Sequence, residues 1–114
     1  MTIPGYMGMD LPTLEQAVIT WHKQRNLIDG STDQAQLAKL TEEVGELARA
    51  LRKEKPNANY QTADAIGDIL VVLINMAKRN GLDLRVCLHR AYNEIKDRDG
   101  KLIDGIYIKE KDNG

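Results

Sequence analysis

The sequence predicts an all-α fold: an antiparallel four-helix bundle with a short extended or hairpin tail, as a single domain over 1–114. Three observations predict it. Apolar residues recur at helical spacing in four successive stretches. The links between those stretches are short and built of turn residues, as between neighbouring helices of a bundle. Strand-like character is confined to residues 102–108.

Residues 1–10 hold two Gly, one Pro and three Met without periodicity and are expected to form a loose arm. A capping signal, Thr13 with Gln16 three residues on, then opens a first helix over 12–27 with Leu14, Ala17, Val18 and Trp21 on one face. Asp29-Gly30-Ser31 breaks it, and Ser31, Thr32 or Asp33 can cap a second helix over 33–54, whose stripe is Leu37, Leu40, Val44, Leu47 and Leu51. Lys55-Pro56-Asn57 ends that helix, because proline disfavours helical backbone before it. A third helix over 61–80 stops at Asn80-Gly81. A fourth over 83–98 carries Leu84, Leu88, Ala91 and Ile95 on one side. The tail, 101–114, centres on Asp104-Gly105, a hairpin signal.

The third helix is apolar nearly all round, which predicts burial on every side. A domain of this size builds only a modest core, so part of that burial is expected from a second subunit.

Composition narrows the function classes. The net charge of −1 argues against a general nucleic-acid binder and against a basic membrane-surface helix. The longest aliphatic run, 69–74, is far too short for a membrane span, and no signal peptide is visible at the N-terminus. A single cysteine, Cys87, excludes an internal disulfide and fits a reducing cytosol, so a cytoplasmic location is expected. Cys87, His22 and His89 are too few for a Cys/His zinc site.

Three groups of residues could carry chemistry. On the second helix, Glu42 and Glu46 lie about 40° apart on the wheel and Glu43 about 60° beyond, so their carboxylates share one sector. Like charges at that spacing repel, and a hard divalent cation, Mg²⁺ or Mn²⁺, would offset them. A solvated acidic face opposite the apolar stripe would show the same run. On the third helix, Asp64, Asp68 and Asn75 share a sector of an otherwise apolar element. Asp64 sits in the first turn, where the helix dipole favours it, whereas Asp68 is expected to lie deeper and to need a partner or a metal. On the fourth helix, Arg85, His89, Asn93 and Lys96 fall within about 80°, followed by Arg98 and Lys101. Such groups bind phosphate oxygens, or form an ordinary solvated face. Neither histidine stands three residues after a glutamate, which disfavours a di-iron carboxylate site and leaves magnesium. Trp21 is either a core residue or a face for a nucleobase to stack on, with His22 beside it.

Together the run Glu42-Glu43-Val44-Gly45-Glu46 and the segment Gly67-Asp68-Ile69-Leu70 with Asn75 and Ala77 resemble the MazG-like nucleoside triphosphate pyrophosphohydrolases over residues 14–101. These belong to the all-α NTP pyrophosphatase superfamily, with dimeric dUTPases and phosphoribosyl-ATP pyrophosphohydrolase. The double motif of that family is EExxE followed by ExxD on the next helix. Here Ala65 stands where the second motif has its glutamate, and Asp64, one residue earlier, is the candidate substitute.

The resemblance implies that Glu43, Glu46, Asp68 and Asp64 hold Mg²⁺ and that Glu42 positions the attacking water. It also implies that Asn93, Lys96 and Arg98 bind phosphates, and that Trp21, His22 and Asn75 flank the base. The implied reaction splits an NTP or dNTP between the α and β phosphates. The implied assembly is a homodimer or a dimer of dimers. A narrower substrate (dUTP, dCTP or phosphoribosyl-ATP) and a non-catalytic helical module are the alternatives. The charge pattern suits a nucleotide: residues 41–68 hold six acids against four bases, and 78–101 hold seven bases against four acids.

Overall fold

A computed structural model describes residues 8–52 and 58–110. Four helices and one hairpin follow in order: α1 (Leu11–Gln24), α2 (Asp33–Arg52), α3 (Ala58–Arg79), α4 (Leu84–Ile95), β1 (Gly100–Ile103) and β2 (Ile106–Lys109). The first seven residues of the expected arm, the Lys55-Pro56-Asn57 stop and residues 111–114 lie outside the described residues.

Capping explains where the helices begin and end. The N-cap of α1 is Asp10, whose carboxylate accepts from the Thr13 backbone N–H at 2.9 Å, with Pro12 in the first turn. Hydrogen bonding to Thr13, first to its side chain and then to its backbone N–H, lowers the Asp10 pKa. The expected cap, Thr13, therefore lies inside the first turn, because Asp10, three residues upstream, caps the helix by accepting from the Thr13 N–H itself. The helix then stops at Gln24 rather than at 27. Asn26 takes a left-handed φ of 56°, Leu27 N–H returns to His22 C=O at 2.9 Å, and Asn26 N–H to Lys23 C=O at 3.1 Å. Asn26 thus performs the termination that Asp29-Gly30-Ser31 was expected to perform.

Of the three candidate caps for α2, Thr32 is the one used, accepting from Ala35 N–H at 3.1 Å. At the other end of α3 the Asn80-Gly81 signal is realised: Gly81 has φ 72°, and Leu82 N–H reaches Ala77 C=O at 2.8 Å. The helix α4 is shorter than 83–98. Lys96, whose N–H still reaches the Tyr92 carbonyl at 2.9 Å, closes the last turn, and Arg98 lies beyond the helix, before the hairpin.

The chain divides into two compact units, 1–84 and 85–114. In the first, α3 packs against both α2 and α1. Its buried residues include Ile19 of α1, Ala50 of α2, and Ala65, Val72, Ile74 and Ala77 of α3. Small and β-branched residues predominate because the helix surfaces meet closely. Arg79 fastens the end of α3 to the link before α2, with Nε 3.3 Å from Asp33 and Nη1 donating to the Ile28 carbonyl.

The second unit holds most of α4 and the antiparallel hairpin, which pairs Gly100 with Lys109 and Ile103 with Ile106. Asp104 and Gly105 turn it with φ values of 51° and 79°, both positive as a two-residue type I′ turn requires. Tyr107 Oη donates to the Arg98 carbonyl at 3.1 Å.

One expectation about an apolar face needs correction. Of the predicted stripe on α2, Leu37, Val44 and Leu51 are exposed (54%, 49% and 66%), while Leu40 and Leu47 are half-buried and alternate with buried Glu43 and Ala50. In the chain taken alone, α3 buries Ala65, Val72, Ile74, Asn75 and Ala77 and leaves Ile66 and Leu70 47% and 40% exposed. In each case the helix is more apolar than one contact face requires.

Candidate active site

A pocket of about 400 Å³ opens between α2 and α3. From α2 it is lined by Glu43, Glu46, Arg49 and Ala50; from α3 by Gln61, Asp64, Ala65 and Asp68. The spacing on each helix explains the convergence. Residues 43, 46 and 50, and 61, 64, 65 and 68, are i, i+3, i+4 and i+7 neighbours and therefore share one face of their helix. Buried Ala50 and Ala65 let the two helices approach and leave room between the acids.

Glu43 is the buried member at 8% exposure. Its cost is offset by Lys39, one turn earlier, whose Nζ lies 3.3 Å from Glu43 and 3.7 Å from Glu42. The hydrogen bond to Glu43, with the added charge of Glu42, raises the Lys39 pKa. Glu46 pairs with Arg49, one turn later. Asp68 is exposed rather than deep, because it stands at the pocket edge. Its pKa is nevertheless raised, first by the partial loss of solvent around it and then by the charges of Glu43 and Asp64; Lys39 acts in the opposite sense. Glu42 stands outside the lining, with a side chain 63% exposed.

Glu43, Glu46, Asp64 and Asp68 are thus brought to one pocket. Asp64 takes its place there beside Ala65, where the family motif would have had glutamate. Among the described residues no group of three or more acids, histidines or cysteines is already drawn together around a common metal position. The donor set itself is oxygen only, which suits Mg²⁺ or Mn²⁺ and not a soft metal. Arg49 and Gln61 were not singled out from the sequence. The signal for Arg49 is its i+3 spacing from Glu46.

The aromatic end of the unit is arranged differently. Trp21 is 44% exposed, with the Arg25 guanidinium 4.2 Å from its ring centre and the His22 ring edge-on at 5.3 Å. His22 and Asn75 are buried, at 3% and 0%. His22 Nε2 donates to the Val71 carbonyl at 2.9 Å. Asn75 Nδ2 donates to the Leu27 carbonyl at 2.9 Å and lies 3.4 Å from His22 Nδ1. Only Asn75 Oδ1 is left without a partner among the described buried side-chain atoms. The remaining candidates, Asn93, Lys96 and Arg98, belong to the second unit: Asn93 on α4, the other two just after it.

Comparison with known proteins places the chain in a family. The MazG nucleotide pyrophosphohydrolase domain matches residues 31–103. A protein of Haemophilus phage HP1 (strain HP1c1), described as an uncharacterized 18.2 kDa protein in the rep-hol intergenic region, is 42% identical over 74 residues. Those residues are 65% of this chain and 44% of that protein, so the chain spans less than half of its relative's length. No solved structure matches.

Proposed function

The chain belongs to the MazG nucleotide pyrophosphohydrolase family, and from that premise we propose that it hydrolyses a nucleoside triphosphate, ribo or deoxy, between the α and β phosphates. The products are the monophosphate and pyrophosphate. The observation that carries this reading is the meeting of Glu43 and Glu46 from one helix with Asp64 and Asp68 from the next around a single open pocket.

Those four carboxylates are the residues that would hold Mg²⁺, with Mn²⁺ as a substitute; when bound, the ion supplies charge neutralisation for phosphate oxygens and a more acidic water. Glu42 and Glu43 are assigned the water: their carboxylates orient it toward the α phosphorus and accept its proton. Asn93, Lys96 and Arg98 are assigned the phosphates, donating hydrogen bonds to the leaving pyrophosphate. Trp21 is assigned the base, since an exposed indole offers a stacking face. His22 and Asn75, buried behind that base site, are assigned to support it by holding α1 on α3.

The assembly we propose is a homodimer or a dimer of dimers. Leu37, Val44 and Leu51 form an exposed seam on α2 at seven-residue spacing, and the hairpin exposes Leu102, Ile103 and Ile106. Apolar faces of this kind mark interfaces, and a lone two-stranded hairpin is marginal in water. Sedimentation analysis checks it: Val44→Lys together with Leu51→Lys should shift the chain to monomer. No helix among the described residues is long and apolar enough to cross a membrane, and a cytoplasmic location is part of the same proposal.

The direct test is incubation with a panel of NTPs and dNTPs plus Mg²⁺, with dUTP, dCTP and phosphoribosyl-ATP included, and identification of products by ³¹P NMR. Monophosphate with pyrophosphate supports the reading and reveals the substrate range. Release of inorganic phosphate overturns α–β cleavage. No turnover and no Mn²⁺ binding would favour a non-catalytic helical module.

A further inference from the structure

The acidic pocket carries a cation of its own. Among the described residues that line it, Arg49 alone is positively charged, facing Glu43, Glu46, Asp64 and Asp68. A polyphosphate entering such a pocket is repelled by every other charged group there. Arg49 is paired with Glu46, its neighbour one helical turn away, and its side chain remains 54% exposed. An exposed pair at this spacing is weak and readily exchanged. The guanidinium fork also matches two phosphate oxygens at once, as a lysine ammonium does not.

We propose that Arg49 is a phosphate-binding residue of this pocket, exchanging its Glu46 partner for a phosphate oxygen of the nucleotide when Glu46 engages a divalent cation. This rests on the nucleotide reading above and adds to it a phosphate contact on the same helix as the acids. The two roles are linked by competition: a guanidinium and a divalent cation seek the same Glu46 carboxylate, so engagement of one frees the other. Lys39 provides an internal control. It bears the same charge on the same helix and pairs with Glu42 and Glu43, yet it does not line the pocket.

The test uses the full chain and two binding measurements. Mn²⁺ binding without nucleotide is followed by electron paramagnetic resonance. Binding of the non-hydrolysable α,β-imido analogues of dATP, dCTP, dGTP and dUTP, each with Mn²⁺, is followed by calorimetry. Arg49→Met should leave Mn²⁺ affinity equal or higher, and weaken the best analogue roughly tenfold or more, as loss of a charge-assisted contact does. Arg49→Lys should recover part of the loss, and Lys39→Met should weaken the analogue several-fold less than Arg49→Met. Equal losses in Arg49→Met and Lys39→Met would reduce Arg49 to a contributor of general field and overturn the contact. Weaker Mn²⁺ binding in Arg49→Met would make it a support for Glu46 and overturn the exchange. Analogue binding by Arg49→Met equal to wild type overturns this inference alone, whereas a wild-type chain that binds none of the analogues overturns the pyrophosphohydrolase reading with it. Circular dichroism on each variant separates these outcomes from misfolding.

Discussion

Two polar clusters on α3 stand about two helical turns apart and are built on opposite principles. Around Asn75 every exposed route is closed: the amide gives its hydrogens to Leu27 and His22, His22 gives its own to Val71, and both residues are sealed from water. Because Asn75 Nδ2 can only donate, His22 Nδ1 must accept, which places the ring proton on Nε2. Around Asp68 the groups instead repel one another in an open pocket and are steadied by Lys39 and Arg49 from α2. A buried network in which Asn75 Oδ1 alone lacks a partner among the described atoms holds a fold together. A crowded, hydrated set of like charges costs stability and is what a site for a cation and a polyanion needs.

The sharpest way to break this contrast is to neutralise the open cluster. Glu43→Gln and Asp68→Asn should each lower monophosphate release by roughly a hundredfold or more, with far-UV circular dichroism unchanged. Turnover at the wild-type rate would make the cluster a solvated face.

Next comes the closed cluster. Asn75→Ala removes donors from a part-buried carbonyl and a buried imidazole nitrogen, and should cost about 2–4 kcal/mol in urea unfolding. A loss within experimental error would show that the knot is replaceable. The smallest effect is the most diagnostic in sign. The Asp68 pKa is raised, so the folded chain holds that proton more tightly than the unfolded chain does. Its stabilising contribution is therefore present below the unfolded carboxylate value and lost as pH rises through the folded one. At pH 7 without divalent ions, Asp68→Asn should raise the melting temperature by roughly 1–3 °C, and the gain should vanish as pH falls below the carboxylate range. A lowered melting temperature at pH 7 would mean that the ionised Asp68 is a stabilising group.

Much of this was legible in the chain itself. Helical periodicity gave the four helices in order, and Asn80-Gly81 and Asp104-Gly105 marked a helix end and a hairpin, because glycine at positive φ is a local requirement. The spacings of Glu43 with Glu46 and of Asp64 with Asp68 placed each pair on one helix face, since a helix repeat is a local property. Tertiary structure decided what periodicity leaves open. An α2 with apolar residues on two faces can turn either toward α3, and contact with α3 selects the face with Leu40, Glu43, Leu47 and Ala50, leaving Val44 and Leu51 in solvent. It decided that Asp68 sits at an edge and Asn75 in a seal, two turns apart on one wheel sector. It also decided that Arg49 joins the acids, because a pocket belongs to two helices at once and no single helix encodes the distance between them.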